Sequence, residues 1–305
     1  MGSISFIIPA YNCAGTVSET VSSIMAGNFS EDDEIVIVDD GSSDETPAVL
    51  RELESHFSRI RVVSHIRNKG GGAARNTAAE HARNDLLFCL DSDNVLVPES
   101  VPKLKKFMLQ RKADVASFQA LHYFKETVDT ITHRWVFKSG EISLADSLAG
   151  GISPVSSGNY LFTRQSWLRA GGYPEHAGAL DAWGFGFRQI ATGSRMAVMP
   201  DSFYFHRYGH DSYWCREFRE HNPSLVALQL IVPFIDLFDE KDVDFITGRK
   251  GRKTWFSNLK NRPLRVKGMP AGKAGIVTDA DGNLMRQDVL SGWRSLPTRL
   301  FTWRR

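Results

Sequence analysis

Four short apolar runs in the N-terminal part of the chain constrain the fold more than any other feature of the sequence. Each run holds aliphatic or β-branched residues without polar alternation, which is typical of a strand buried on both faces of a sheet. Segments of helical length and spacing separate the runs, and this alternation predicts an α/β fold with a parallel, doubly wound sheet. The runs are Ile4–Ile8, Glu34–Val38, Ile60–Ser64 and Leu86–Leu90, and the helical segments are Thr16–Met25, Thr46–Phe57 and Ala73–Ala82.

Polar residues directly follow three of the four runs. Ligands of such sheets bind at the carboxyl ends of the strands, so these residues are the first candidates for a functional site. They are Pro9-Ala10-Tyr11-Asn12, Asp39-Asp40-Gly41-Ser42 and Asp91-Ser92-Asp93-Asn94.

The pair Asp91 and Asp93 is the sharpest of these features. Two carboxylates one residue apart at a strand end can share a hard divalent cation, Mg or Mn, which in turn neutralises a diphosphate. A solvated acidic turn is the alternative interpretation. The position of the pair after the fourth apolar run favours the metal site.

Two further features suit a nucleotide ligand. Asp40 closes the second run, where a carboxylate can accept a hydrogen bond from a base or a ribose, whereas Asp44 is expected to cap the next helix. The Gly-rich loop at 68–76 enters a helix, and Arg75 could reach phosphate oxygens there. The loop matches neither GxxxxGK[ST] nor GxGxxG, which disfavours a kinase or a dehydrogenase.

Composition places the chain among ordinary globular proteins, with 42% hydrophobic and 24% charged residues. No apolar run reaches the roughly 18 to 20 residues that cross a bilayer, so we expect a soluble or peripheral protein of the cytoplasm. Three cysteines, Cys13, Cys89 and Cys215, lack metal-ligand spacing and fit a reducing compartment, with packing in the core as their expected role.

Charge is distributed unevenly along the chain. Residues 245–305 carry fourteen Lys or Arg against three Asp, a net of +11, which leaves −9 for the preceding 244 residues. Interleaved aromatic residues such as Trp255 and Trp293 suit an anionic membrane surface or an anionic acceptor, and a solvated tail is the alternative. The acidic body argues against a nucleic-acid partner, because phosphate binding needs a positive footprint.

Four phrases in register carry a resemblance to a known family: ISFIIPAYN, IVIVDDGSSDET, NKGGGAARNTA and LLFCLDSDN. Their order and spacing resemble the donor domain of glycosyltransferase family 2, closely over residues 4–110 and loosely over 150–210. The resemblance implies inverting chemistry and the GT-A fold, a mostly parallel central sheet flanked by helices. It divides the chain into a GT-A domain at 1–215, with a donor half at 1–110 and an acceptor half at 111–215, and a helical, basic extension at 216–305.

The resemblance also implies roles for individual residues. Asp40 would bind the base, usually uracil in this family, and Arg75 would lie near the base or the diphosphate. A His after the apolar FYF would complete the metal shell, which favours His206 over His210. The remaining donor-site positions are Pro9, Ala10 and Tyr11 around the nucleobase, and Asp91, Ser92 and Asp93 at the metal motif.

An inverting transferase needs a general base that deprotonates the acceptor hydroxyl. In the family this base is usually the Asp of a Glu-Asp pair that begins a helix after a Gly-Gly-aromatic turn. Asp181 is the candidate here, with Glu175 as second choice. Alignment on Trp183 and Arg188 instead puts Asp181 at the Glu position and Ala182 at the Asp position, so the identity of the base stays open.

The function that this pattern predicts is transfer of a hexosyl or N-acetylhexosaminyl group from a UDP-sugar to a hydroxyl of a glycan, lipid-linked or other acceptor, with Mn or Mg as cofactor. Such an enzyme would serve polysaccharide biosynthesis, peripherally at the inner face of a membrane if the basic tail binds there. Tyr160, Trp183 and Phe185 either stack on acceptor sugars or pack in the core. Two alternatives are a nucleotidyltransferase and a degenerate, non-catalytic protein that binds nucleotide sugars.

Overall fold

A computed structural model describes residues 2–27, 29–209, 217 and 221–285 of the chain. Within these residues a ten-stranded sheet is flanked by helices. The strands are β1 Ile4–Ala10, β2 Glu34–Asp39, β3 Ile60–Ser64, β4 Leu86–Cys89, β5 Val115–Phe124, β6 Ile131–Val136, β7 Gly140–Ile142, β8 Leu161–Thr163, β9 Met196–Arg207 and β10 Ile276–Asp279. The α-helices are α1 Val17–Met25, α2 Thr46–His56, α3 Gly71–His81, α4 Ser100–Arg111, α5 Leu144–Ser147, α6 Arg164–Arg169, α7 Asp181–Ala191, α8 Pro223–Ile231 and α9 Glu240–Thr247.

The N-terminal half of the sheet is parallel. Its strands run in the order β4-β1-β2-β3, and each pairs in parallel with its neighbours. Every residue of β2 and β4 is buried, which is the environment that continuous apolar runs indicate. The four predicted strands are confirmed, so the segments that follow β1, β2 and β4 lie at one edge of the sheet.

The second half of the sheet is mixed. β8 pairs antiparallel with both β4 and β5, β6 pairs antiparallel with β5, and the long β9 lies parallel to β5 and antiparallel to β7. Strands β6, β7 and β10 were not among the sequence expectations. They are short or half-buried, and such segments give a weaker hydrophobic signal than the buried runs of the first half.

Helices pack beside the edge of the sheet at which β1, β2 and β4 end. α3 packs on β1 and β2 and also contacts α7, so the Gly-rich loop and the candidate base helix meet above the sheet. α2 begins at Thr46 as predicted, but its N-cap is Glu45, which makes no side-chain cap hydrogen bond, so the expectation that Asp44 caps the helix is wrong. The Asp44 carboxylate instead accepts from the Thr46 amide at 3.0 Å in the turn before the helix. α4 packs on β5 and β9.

The basic C-terminal extension, as far as Met285, packs on itself and on the body, where the Phe256 ring lies edge-on against Trp183. Trp255 is 1% exposed, and its indole N–H donates to the Ser224 carbonyl at 2.9 Å. The expectation that Trp255 lies at a membrane interface is therefore wrong, because the ring fills the core. Arg265 pairs with Asp239 and Asp242, which absorbs part of the positive charge.

β10 extends the same sheet by pairing antiparallel with β6. The extension at 216–305 thus supplies a strand to the sheet of the domain at 1–215. The division of the chain at residue 215 stays a prediction. The aromatic residues of the far tail, Trp293 and those after it, lie outside the described residues. Exposed cations remain at 249–253, and their contact with a membrane also stays a prediction.

Two observations bear on the environment of the protein. Cys13 and Cys89 are buried free thiols, as expected of core residues, and Cys215 lies outside the described part of the chain. Among the described helices, none combines the length and the apolar character needed to cross a membrane.

Candidate active site

The loops after β1 and β2 are held to each other. The Asn12 amide donates to the Ser42 hydroxyl at 3.0 Å, and the Asn12 side-chain oxygen accepts from the Ser43 amide at 2.9 Å. This pairing fixes the segment that carries Tyr11, whose side chain is 45% exposed at the rim. Pro9 is half-buried and Ala10 is buried beneath it, so of the three predicted base-site residues Tyr11 has the most accessible surface.

Asp40 lies buried at the end of β2, where three donors surround its carboxylate. Oδ1 accepts from His65 Nδ1 at 2.6 Å and from the Lys69 amide at 2.9 Å, while Oδ2 accepts from the Gly70 amide at 2.8 Å. Asp40 therefore ties the loop after β3 to the end of β2. His65 was not identified from the sequence.

Gly41 is what allows the two loops to approach each other. Its φ is +72°, and a Cβ there would lie 2.7 Å from the backbone of Arg67 and Asn68. A larger residue would have to push this loop away from Asp40, and its left-handed backbone would add strain.

Arg75 of α3 joins two candidate groups of the site. Its guanidinium donates to Asp91 Oδ1 and to Asp181 Oδ2, each at 2.6 Å. The side chain of Arg75 is 11% exposed, so both ion pairs are largely shielded from water. The structure thus brings together the predicted phosphate-side arginine, the metal motif and the candidate base.

The two carboxylates that share Arg75 differ in their proton affinity. Burial opposes charge on Asp91, but Arg75 and the Asn159 amide outweigh it, so the pKa of Asp91 is lowered. Burial dominates at Asp181 in spite of Arg75, and its pKa is raised from the ordinary 3.8. A carboxylate with a raised pKa is a better proton acceptor near neutral pH.

Asp93 lies beside this pair without a comparable partner. No side chain of the described residues donates a hydrogen bond to its carboxylate, and burial together with the nearby Asp91 raises its pKa to about 7. Arg207, a residue that the sequence did not single out, donates to the Asp93 carbonyl at 3.2 Å. The positive charge of Arg207 is the main feature that opposes the rise in the pKa of Asp93.

His206 is on β9 next to the same cluster, where burial lowers its pKa to about 4 and keeps the imidazole neutral. Its Nδ1 is buried and has no hydrogen-bond partner within the described chain. A carboxylate such as that of Asp93 is the ligand type that suits Mn or Mg, and a neutral imidazole with a free ring nitrogen can serve as a further ligand beside carboxylates. Asp91 retains acceptor capacity, because a carboxylate offers about four lone-pair positions.

The three predicted ligands nevertheless do not form a compact metal-binding group here. In the described parts of the chain, no three His, Cys, Asp or Glu side chains lie close enough together to hold an ion. Arg75 occupies the position beside Asp91. The residue types therefore fit a divalent cation, while the ligand set stays a prediction.

A profile of the family described as Glycosyl transferase family 2 matches residues 5–170. This range includes the loops after β1, β2, β3 and β4, and it ends before Asp181 of α7 and His206 of β9. The chain belongs to glycosyl transferase family 2.

Relatives of this family 2 chain include named synthases and transferases. Chondroitin synthase of Escherichia coli is 40% identical over 98 residues, which are 32% of this chain and 14% of the relative. Poly(ribitol-phosphate) beta-glucosyltransferase of Bacillus spizizenii is 28% identical over 151 residues, 45% of this chain and 24% of the relative. The matches thus span only a minor part of these relatives' lengths.

Solved structures share the GT-A fold of this family 2 chain at low sequence identity. S. aureus TarS 1-349 in complex with UDP-GlcNAc has a TM-score of 0.62 at 18% identity, covering 85% of this chain and 74% of that one. The mannosyltransferase PcManGT from Pyrobaculum calidifontis, in complex with GDP-Man and Mn2+, has a TM-score of 0.54 at 20% identity, with coverages of 77% and 64%.

Two asparagines that the sequence did not reveal organise the family 2 site. Asn159 donates to Asp91 Oδ2 at 2.9 Å, and its side-chain oxygen accepts from the Asp91 amide at 2.7 Å. Asn76 bonds both the amide and the carbonyl of Tyr173, which fastens the Gly-Gly-Tyr turn to α3. Neither was singled out from the sequence, because their partners are 68 and 97 residues away.

The region of the candidate base has one buried and one exposed carboxylate. Asp181 is 4% exposed at the first turn of α7, and Glu175 is exposed and bonded by Asn76. A Cβ built on Gly158 would touch both Ala182 Cβ and Asp91 Oδ2, so Ala182 lies beside the metal motif but brings no carboxylate.

The three aromatics considered for stacking on acceptor sugars are core residues. Tyr160, Trp183 and Phe185 are at most 3% exposed, and the Tyr160 hydroxyl donates to Gln189 at 3.0 Å. The structure thus favours the packing role that the sequence left as an alternative.

Proposed function

We propose that this family 2 protein is an inverting glycosyltransferase that moves a sugar from a UDP-sugar to a hydroxyl of a glycan or lipid-linked acceptor. The observation that carries the proposal is the ion-paired group of Arg75 with Asp91 and Asp181. It joins the end of β4 to the start of α7, where donor chemistry and acceptor activation would have to meet.

The donor would bind across the carboxyl edge of the parallel half. Tyr11 offers an exposed aromatic surface at the rim, Asp40 offers an acceptor at the end of β2, and Arg75 offers a cation beside Asp91. Guanidinium groups suit phosphate oxygens, and the ion pairs of Arg75 would exchange for contacts with the diphosphate. Pro9, Ala10 and Ser92 would complete the walls of this site.

Asp91, Asp93 and His206 would hold a divalent cation, Mn or Mg. When bound, such an ion stabilises the negative charge that develops on the leaving diphosphate. The support in the chain is the Asp93 carboxylate, to which no described side chain donates, and the neutral His206 ring, whose Nδ1 has no partner in the described residues.

Asp181 would act as the general base. Its raised pKa suits proton abstraction, and release of Arg75 toward the diphosphate would free the Oδ2 atom that Arg75 now contacts. Coupling of the two events would make the base available only after the donor has bound.

The acceptor class is inferred from relatives alone. One relative that is 33% identical over 107 residues is named as a glucosyltransferase acting on an undecaprenol-linked GlcNAc diphosphate. The poly(ribitol-phosphate) glucosyltransferase also acts on a phosphate-bearing polymer, as its name states. An anionic acceptor would suit the exposed cations at 249–253.

The test measures binding and slow hydrolysis of a panel of UDP-, GDP- and TDP-sugars, with and without Mn or Mg. We expect metal-dependent binding of at least one UDP-sugar, and a loss of hydrolysis of at least about 100-fold in Asp93→Asn. Asp32→Asn is the matched control, because Asp32 is exposed before β2 at the opposite edge of the sheet. If the wild-type chain binds none of these sugars, the proposal fails.

A second candidate function is binding of nucleotide sugars without turnover. Ala182 favours it, because this residue lies beside Asp91 where alignment of the motif would put the base. Donor binding with no transfer to any hydroxyl in wild type, together with transfer gained in Ala182→Asp, would support this alternative.

A further inference from the structure

We propose that His65 sets the base selectivity of the donor site by leaving Asp40 a single open acceptor position. The inference rests on the donor role proposed above for Asp40. It adds a positioning residue that neither the sequence motifs nor the family relationship identifies, and it narrows the base to one with a lone ring N–H donor.

The acceptor capacity of Asp40 can be counted. A carboxylate has about four lone-pair positions, and three described groups already fill three of them. His65 and the Lys69 amide both donate to Oδ1, and the Gly70 amide donates to Oδ2. One position remains, and it is on Oδ2.

His65 makes this arrangement rigid. The carboxylate can only accept, so His65 Nδ1 carries the proton of their 2.6 Å hydrogen bond. The other ring nitrogen, Nε2, is 3.0 Å from the Thr77 hydroxyl on α3. The ring is thus fixed at both ends, and its side chain is 5% exposed.

The same contacts close a ring of interactions around the base position. Asp40 bonds the backbone that leads into α3, and Thr77 of α3 bonds the histidine that orients Asp40. Rotation of the Asp40 carboxylate would break the His65 bond and both amide bonds at once. Oδ2 therefore presents its remaining lone pair in one fixed direction.

A single fixed acceptor discriminates between bases. Uracil and thymine carry one N–H at ring position 3, and it would donate to the one remaining lone pair on Asp40 Oδ2. Cytosine carries a bare lone pair at the same position, and guanine carries two adjacent donors where one acceptor is available. A buried polar group left unpaired, or opposed by a like group, penalises the wrong ligand strongly.

The test compares binding of UDP, CDP and GDP, with Mn or Mg present, by titration calorimetry. UDP and CDP are nearly equal in size, so their ratio reports on the hydrogen-bonding edge alone. We expect wild type to prefer UDP over CDP by about 100-fold, as for sites built to pair a specific polar edge. His65→Ala should reduce that preference by about ten-fold, because Asp40 can then rotate away from cytosine N3 and accept from the exocyclic amine of cytosine instead.

Two further variants separate positioning from general damage. His65→Asn places an amide N–H where Nδ1 stood and should keep the preference within about three-fold of wild type. Thr77→Val removes only the hydroxyl partner of Nε2 and should reduce the preference by a smaller factor than His65→Ala. His56→Ala changes an exposed histidine of α2 and should leave the preference unchanged. Thermal unfolding of each variant checks that it is folded.

The outcomes distinguish this inference from the proposed function. A wild-type protein that binds UDP but shows the same UDP to CDP ratio in His65→Ala and Thr77→Val overturns the role of His65 and leaves the transferase standing. A preference for CDP or GDP in wild type also overturns it. If wild type binds no nucleoside diphosphate, both proposals fall together.

Discussion

The two edges of the parallel half of the sheet differ in how completely their buried polar groups are hydrogen-bonded. At the amino edge, the Glu34 carboxylate accepts from the Ser5 hydroxyl and from the amide and guanidinium of Arg83. Asp33 next to it accepts from the amides of Ile4 and Ser30. These buried carboxylates are hydrogen-bonded, and they hold the start of β1 to the start of β2.

At the carboxyl edge the pairing is incomplete. No side chain of the described residues donates to the Asp93 carboxylate, and three buried polar atoms there have no partner within the described residues: Arg75 Nε, Asn94 Nδ2 and His206 Nδ1. Unpaired buried groups cost stability and are rare in native proteins. Other unpaired buried atoms of the described residues lie elsewhere in the chain, but those at the carboxyl edge are beside Asp91 and Asp93, where a bound ligand could pair with them.

The largest effect should come from removal of the group that holds the carboxyl edge together. Arg75→Met leaves Asp91 and Asp181 as buried carboxylates without their shared cation, so we expect a loss of about 3 to 5 kcal/mol of unfolding free energy. Nucleotide binding should fall with it. Urea unfolding at pH 7 and calorimetric titration with UDP measure the two losses.

Arg195→Met is the control for this variant. Arg195 pairs with Glu141, and both side chains are more than half exposed, so the change should cost well under about 1 kcal/mol. Equal losses in the two variants would mean that the Arg75 pairs are no more important than a surface ion pair.

An intermediate effect on stability alone is expected at the amino edge. Glu34→Gln replaces an acceptor of three hydrogen bonds by an amide that opposes one donor, at a cost of about 1.5 to 3 kcal/mol. Affinity for UDP should not change, because Glu34 lies at the opposite edge from the site. If Glu34→Gln loses UDP affinity without losing stability, the assignment of stability to the amino edge and of ligand binding to the carboxyl edge is wrong.

The contribution of Glu34 should also depend on pH. Burial acts to raise its pKa, but the hydrogen bonds from Ser5 and Arg83 outweigh burial and lower the pKa below the ordinary 4.5. A lowered pKa contributes stability that is present above pH 4.5 and is lost as pH falls through the folded pKa. The stability difference between wild type and Glu34→Gln should therefore shrink between pH 5 and pH 3.

The smallest effect has the opposite sign. Burial and Asp91 raise the pKa of Asp93 to about 7 from the ordinary 3.8, so the ionised form destabilises the fold above pH 7. In metal-free buffer at pH 8, we expect Asp93→Asn to be more stable than wild type by about 1 to 2 kcal/mol. The gain should diminish as pH falls from 7 toward 4, and a less stable variant at pH 8 would contradict this account.

Much of the fold was predictable because its first half is built from buried parallel strands with local signals. The runs around Ile4–Ile8 and Leu86–Leu90 are confirmed as strands, and the second helix begins at Thr46 as predicted. The mixed half was less predictable, because strands such as β6 gain their burial from neighbours distant in sequence. The pairing of β5 with β9 is of this kind.

The site was predictable only as a set of loops. Asp40, Arg75 and Asp91 stand in recognisable motifs, and the structure brings Arg75 against Asp91. His65 and Asn159 carry no motif, since their importance arises from partners 25 and 68 residues away. A polar residue at the start of an apolar strand segment, as Asn159 is, was the available signal for one of them.

The strand β10 has a practical consequence for handling this protein. It is four residues long and covers the backbone of β6, whose N–H and C=O groups would otherwise form an unprotected sheet edge. Such edges recruit strands from other molecules. A version shortened before residue 276 should therefore precipitate or form soluble aggregates on concentration, even though every residue of the candidate active site would still be present.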